Sequence, residues 1–151
     1  MPVIVIGADT EVGHAIIHGL RPASGELRAF VSDADVADSY RQFAKVAIGD
    51  LSDGSHVGGA ALGAFCAIVI AAAAHDGRDR YFAQGMEELF SQWADGLADA
   101  GIGRVIVVGT PEQIPKPDPL QNASPDYHHA DTTGRSLDEI VAVVAEQEAA
   151  R

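Results

Sequence analysis

Short, unbroken apolar runs alternate with stretches of helical periodicity along the whole chain. Val3-Ile4-Val5-Ile6 is β-branched throughout and stops at Gly7, the pattern of a strand covered on both faces. Val12, Ile16, Ile17 and Leu20 then recur at helical spacing until Arg21-Pro22 ends the segment. Leu27–Val31 predicts a second strand, residues 34–44 a second helix with Val36, Tyr40 and Phe43 on one side, and Lys45–Ile48 a short third strand. The Ser/Gly-rich stretch 52–63 predicts a short, weak helix, and residues 67–71 a fourth strand. The longest helix is expected over 79–100, where Phe82, Met86, Leu89, Phe90, Trp93 and Leu97 make a stripe suited to a core or to a subunit interface. Gly101 and Gly103 end it, and 104–108 predicts a fifth strand. Residues 110–135 hold five prolines and little periodicity, so an irregular loop is expected. Ser136 with Glu139 has the spacing of a capping box, opening a last helix with Leu137, Ile140, Val141 and Val144 inward.

Strand–helix alternation with continuously apolar strands implies a parallel sheet with helices on both faces. The expected fold is a single α/β domain over residues 1–151: a doubly wound, five-stranded, Rossmann-like sheet of order 3-2-1-4-5. Ligands are then expected beyond the carboxyl ends of the strands. The loop GADTEVG, Ser32-Asp33, Asp50-Leu51, residues 71–75 and Gly109-Thr110 all emerge at that edge.

Composition narrows the function classes. The formal net charge is −12, from 22 acids against 10 bases, with no basic stripe to replace the counterions of a nucleic acid or to meet an anionic membrane. No apolar run is long enough for a bilayer, and the N-terminus lacks a secretion signal, so a cytoplasmic protein is expected. The single cysteine, Cys66, lies in an apolar run and reads as a small buried hydrophobe in a reducing compartment. No cysteine or histidine spacing suggests structural zinc, and no metal is expected. His14 and His18 stand one helical turn apart without the acid of an H-E-x-x-H motif, on the side opposite Ile16 and Ile17.

The segments VIVIGADTEVG, AFVSDAD, VAIGDLSD, AIVIAAAA and AGIGRVIVVGT, in this order and spacing, resemble the atypical short-chain dehydrogenase/reductases, the NmrA-like and NAD-dependent-epimerase-like branch. The resemblance covers residues 2–110 and implies a Rossmann sheet binding NAD or NADP. It further implies that the loop from Gly7 to Gly13, including Thr10, Glu11 and Val12, faces the pyrophosphate. Ser32 and Asp33 would face the adenosine ribose, Asp50 and Leu51 the adenine, and Ala72 and Ala73 the middle of the cofactor.

Several residues depart from that pattern. The family's G-x-x-G-x-x-G maps onto Gly7, Thr10 and Gly13, so a branched side chain stands where bare backbone would approach the phosphates. Asp9 and Glu11 flank the helix N-terminus, and one such charge a few ångströms from a phosphate costs on the order of 1–4 kcal/mol. Either a carboxylate folds onto the free N–H groups and competes for the site, or both acids point to water. Asp33 lies where an acid bonds the 2′-hydroxyl of NAD, or it is only a helix cap. Ser32 replaces the base usual in NADP users, which favours NAD.

The resemblance also implies a catalytic hydroxyl after the fifth strand and a tyrosine followed four residues on by a lysine. Thr110 supplies a hydroxyl, but the residue four beyond Tyr127 is Asp131, and Lys45 and Lys116 are misplaced for the role. His75, His128 and His129 lie at or near the expected ligand edge. The family's chains run longer, with a C-terminal half that builds the substrate pocket. The leading expectation is therefore a nucleotide-sensing, regulatory or accessory module with weakened dinucleotide binding. An NAD(P)-dependent oxidoreductase or epimerase is the alternative, and a small-ligand binder using a pocket under the proline-rich loop is a third. A homodimer through 79–100 and a protein partner are the expected associations, with neither nucleic acid nor membrane.

Overall fold

In the computed structural model, which describes residues 2–22 and 25–150, one parallel sheet carries six strands in the order β3-β2-β1-β4-β5-β6. The strands are β1 Val3–Ile6, β2 Leu27–Val31, β3 Lys45–Ile48, β4 Cys66–Ile70, β5 Arg104–Gly109 and β6 Asp126–Asp131. The helices are α1 Glu11–Gly19, α2 Ala34–Tyr40, α3 Gly54–Ala61, α4 Met86–Asp99 and α5 Leu137–Ala149. β1 and β4 are buried along their whole length between two apolar layers, which is why both read as continuous hydrophobic runs. One layer holds Ile4, Ile6, Val69, Leu89 and Trp93 beneath α3 and α4. The other holds Val5, Ile68, Ile16, Ile17 and Val144 beneath α1 and α5.

Three elements differ from the sequence expectation, the smallest change being α2, expected over 34–44, which ends at Tyr40. A sixth strand, β6, lies within the segment expected to be irregular, and pairs along its length with β5 from Arg104↔Asp126 to Gly109↔Asp131. DYHHAD carries no alternation of apolar residues because it is an edge strand, and backbone pairing with β5 holds it. The long helix starts at Met86, not at 79, so residues 75–85 form an irregular strap across the carboxyl edge of the sheet. Phe82 is 58% exposed on that strap, while Leu89, Phe90, Trp93 and Leu97 point into the core. The Trp93 indole N–H donates to the Leu51 carbonyl at 2.8 Å, tying α4 to the end of β3.

The weak helix of 52–63 forms, as α3, because glycines let it lie backbone-to-backbone on α4. A Cβ at Gly96 would stand 2.2 Å from the Gly54 carbonyl, and one at Gly58 2.6 Å from that of Gly96. Ser136 and Glu139 make the expected reciprocal capping bonds, at 3.2 and 3.0 Å. Cys66 is fully buried, and burial pushes its thiol up to about 12, so it packs as a hydrophobe.

Candidate functional site

The carboxyl edge of the sheet opens into a cleft of about 450 Å³ between the ends of β1, β2 and β3 and the strap. Its wall starts at the loop after β1. Gly7 adopts φ +85°, and a Cβ there would press within 2.9 Å of Ala73. Gly13 needs its missing side chain more, since a Cβ would fall 2.4 Å from the Gly7 carbonyl oxygen and 2.7 Å from the Ala8 Cα. These two glycines bring α1 against β1 and aim its N-terminus at the edge.

Thr10 caps that helix. Its hydroxyl accepts from the Gly13 N–H at 2.9 Å and donates to the Gly7 carbonyl at 2.8 Å. One of the helix's unpaired donors is thereby satisfied internally. Among the described residues no acceptor meets the N–H groups of Glu11 or Val12. The Glu11 side chain is exposed to solvent, and Val12 is half-buried beside the core.

Asp9 does neither of the two things the sequence leaves open. Its side chain is 5% exposed and turns away from the helix N-terminus, toward the end of β2. Oδ2 accepts from the backbone N–H of Ser32 at 2.9 Å and of Asp33 at 3.3 Å, and Oδ1 pairs with Arg78 Nη1 at 2.8 Å. The same guanidinium nitrogen lies 3.3 Å from the Ser32 hydroxyl, while Arg78 Nε donates to Asp76 at 3.0 Å. Burial, the largest influence on both Arg78 and Asp76, opposes their charges. The pairing outweighs it, holding the Asp76 carboxyl below its ordinary range and the guanidinium above its own. Arg78 went unseen in the sequence because nothing in HDGRDRYF signals that the strap returns to the first loop.

The far side of the cleft is built on Asp50. Its Oδ1 accepts from the Ser52 N–H and hydroxyl at 2.8 and 2.6 Å, and its Oδ2 accepts from the Tyr81 N–H at 2.8 Å. Burial is the largest single influence and opposes ionisation. The bonds from Ser52 and Tyr81, with the charge of Arg80, nevertheless hold Asp50 below the usual carboxylate range. The Ser52 hydroxyl also accepts from the Phe82 N–H at 3.0 Å, so the strap is fastened by two successive backbone donors. Leu51, expected beside an adenine, is fully buried under Trp93 and braces the wall from behind.

Asp33 caps α2, accepting from the Asp35 N–H at 2.9 Å, and also lines the cleft, so its cap and its rim position coexist. Ala72 and Ala73 form a 3-10 turn after β4, with Ala73 buried against Gly7 and Ala72 half-buried at the middle of the edge. The lining thus brings together Asp9, Ser32, Asp33 and Asp50 from the sequence expectation, and adds Gly49, Asp76, Arg78, Asp79 and Tyr81. Five carboxylates face one guanidinium across it.

The residues weighed for catalysis lie elsewhere. Tyr127 is on β6, and its hydroxyl donates to Asp118, which is only 5% exposed. Burial first, and that neighbouring carboxylate second, push the phenol far above its ordinary value. His129 Nε2 lies 2.9 Å from the Gly109 carbonyl and His75 Nε2 2.9 Å from that of Gln113. Tyr127 and His129 line a second cavity of about 210 Å³ with Lys116, Asp118 and the prolines of 111–117. Among the described residues no group of three or more His, Cys, Asp or Glu could hold a metal, and no helix is long and apolar enough to cross a membrane.

No protein-family model matches the sequence, and no curated protein matches it. Solved structures do share the fold. A triphenylmethane reductase from Citrobacter sp., complexed with NADP(H), superposes at a TM-score of 0.66 with 16% identity over 87% of this chain and 49% of that one. An NADPH-dependent quinone oxidoreductase from Escherichia coli, complexed with NADPH, gives 0.63 and 14% over 85% and 48%. A putative epimerase from Bacteroides thetaiotaomicron gives 0.57 and 20% over 97% and 62%. This chain shares its fold with these two reductases and the epimerase, and spans about half the length of the reductases it matches.

Proposed function

We propose that this chain is a dinucleotide-binding module that takes NAD in preference to NADP and works in sensing, regulation or as an accessory subunit. The observation that carries the reading is the position of Asp9. The acid nearest the phosphate loop is turned toward β2 and neutralised by Arg78, and the Glu11 and Val12 N–H groups are left without an internal acceptor. Two aligned donors at a helix N-terminus favour a phosphate. Thr10 spends a third donor on its own cap and Glu11 keeps its charge nearby, so binding is weaker than an all-glycine loop would give.

The preference for NAD rests on the ribose end. A 2′-phosphate there would meet Asp9, Asp33 and Asp76, and the guanidinium that could receive it already serves two carboxylates. A free 2′-hydroxyl suits such a wall, because carboxylates accept from it. The state of Tyr127 supports a non-catalytic role, since burial and the Asp118 carboxylate that accepts its hydroxyl proton push the phenol far above its ordinary value. A homodimer through 79–100 would have to use Tyr81 and Phe82, 77% and 58% exposed, because the helix's large apolar side chains are buried within the chain.

Calorimetric titration with NAD, NADH, NADP and NADPH tests the reading. NAD or NADH is expected to bind at least tenfold more tightly than its 2′-phosphorylated counterpart. At a hundredfold excess over its dissociation constant, such a ligand stabilises the fold by about 2.7 kcal/mol. Absence of binding by all four would sink the proposal.

A further inference from the structure

The outer face of α1 carries a feature independent of the cleft. His14 and His18 are both exposed, one helical turn apart, with ring centroids 4.1 Å apart and planes 34° from parallel. Both rings rest on an aromatic shelf: His14 lies 5.7 Å from the Tyr40 ring and His18 4.5 Å from that of Phe43. Exposed imidazoles ordinarily turn freely; these two are held.

Their hydrogen bonds fix which nitrogen bears the proton. The Tyr40 hydroxyl gives its own proton to the Ala8 carbonyl at 2.7 Å, so toward His14 Nδ1, 3.2 Å away, it can only accept. His14 therefore carries its proton on Nδ1. His18 Nδ1 lies 2.9 Å from the His14 carbonyl, which has no proton to give, so His18 is protonated there as well. In both neutral rings the lone pair is left on Nε2, and among the described residues no hydrogen bond uses either Nε2. Metal-ligating imidazoles are held in this way, with one nitrogen donating to a carbonyl or other oxygen and the second turned to the ion.

We propose that His14 and His18 form a two-histidine site for a divalent transition-metal ion of the borderline class, zinc or nickel. Bonds of about 2.0–2.1 Å bring two ligating nitrogens to roughly 3 Å from each other, which tilted rings one helical turn apart can reach. No third His, Cys, Asp or Glu of the described residues joins them. Water completes the coordination, and the affinity is modest. The chain's net charge of −12 draws cations toward its surface. A bound ion staples the middle of α1 to its last turn, stiffening the helix whose N-terminus faces the cleft.

Titration of the full chain with nickel or zinc chloride, followed by calorimetry, is expected to give one ion per chain. His14→Ala and His18→Ala should each weaken it at least tenfold while the circular dichroism stays unchanged, because alanine suits an exposed helical position. In nitrogen-15 spectra of the metal-free protein, both rings should show the proton on Nδ1, and nickel should broaden His14 and His18 before His75, His128 or His129. Undiminished binding by the double alanine variant, or first broadening at the β6 histidines, would overturn the site.

Discussion

Arg78 Nη1 stands 2.8 Å from Asp9 Oδ1, joining residues 69 positions apart in the chain across the mouth of the cleft at the carboxyl edge of the sheet. The pair is 12% and 5% exposed, so neither partner can be removed without leaving the other's charge poorly solvated. Asp9→Ala removes this partner and the acceptor for the Ser32 and Asp33 N–H groups. It should cost about 2–3 kcal/mol, since hydrogen bonds to charged groups contribute about 1.5–3 kcal/mol. Urea unfolding of the variant measures this; a loss under about 0.5 kcal/mol, as at an ordinary surface site, would mean that the pair does not hold the strap.

Glu11 acts on the same site without structural consequence, because its side chain is exposed. Glu11→Ala should tighten dinucleotide binding about two- to fivefold, the effect of one screened charge at a helix N-terminus. The gain should shrink in high salt. Affinity that is equal in both proteins at low ionic strength would show that no phosphate sits at that helix end.

Gly13 has no room for a methyl group, with the Gly7 carbonyl oxygen at 2.4 Å from where it would lie. The neighbour is backbone and cannot rotate aside. Gly13→Ala should destabilise by about 3 kcal/mol, the upper part of the range for overpacking, and lower the thermal midpoint accordingly.

Acid should loosen the cleft before the core. Asp50 and Asp76 are held below their ordinary 3.8 in the folded state, so their contribution is complete above that value and is lost as pH falls through the folded values. Stability measured from pH 7 downward should fall below about pH 4. Asp50→Asn should flatten that slope and release the Tyr81 strap to proteolysis. A slope that is identical in the variant would remove Asp50 from the linkage.

Trp93 and Phe82 separate folding from association. Trp93→Phe strips the Leu51 carbonyl of its buried donor and should cost about 1–3 kcal/mol. Phe82→Asp, on the exposed strap, should leave stability within about 0.5 kcal/mol of the parent. If the chain pairs through this segment, the Phe82 variant alone should sediment as the smaller species; unchanged sedimentation in a folded variant would end the homodimer reading.

The sequence by itself determined the parallel layers, because β1 and β4 bury both faces and so must be apolar without interruption, while β2 and β5 depart from an apolar run only at Arg28 and at Arg104 and Gly109. It also determined the glycine turn at Gly7 to Gly13 and the Ser136–Glu139 cap, where local stereochemistry leaves few alternatives. Only the tertiary structure decided β6, since a polar edge strand is specified by the hydrogen bonds of its neighbour and not by its own periodicity. The strap was decided the same way: residues 79–85 have helical spacing, yet the Tyr81 and Phe82 N–H groups bond to Asp50 and Ser52 instead of to a helix. The fate of Asp9 was the least legible feature, because whether a carboxylate repels a phosphate depends on the cation beside it, and that cation arrives from a loop after β4.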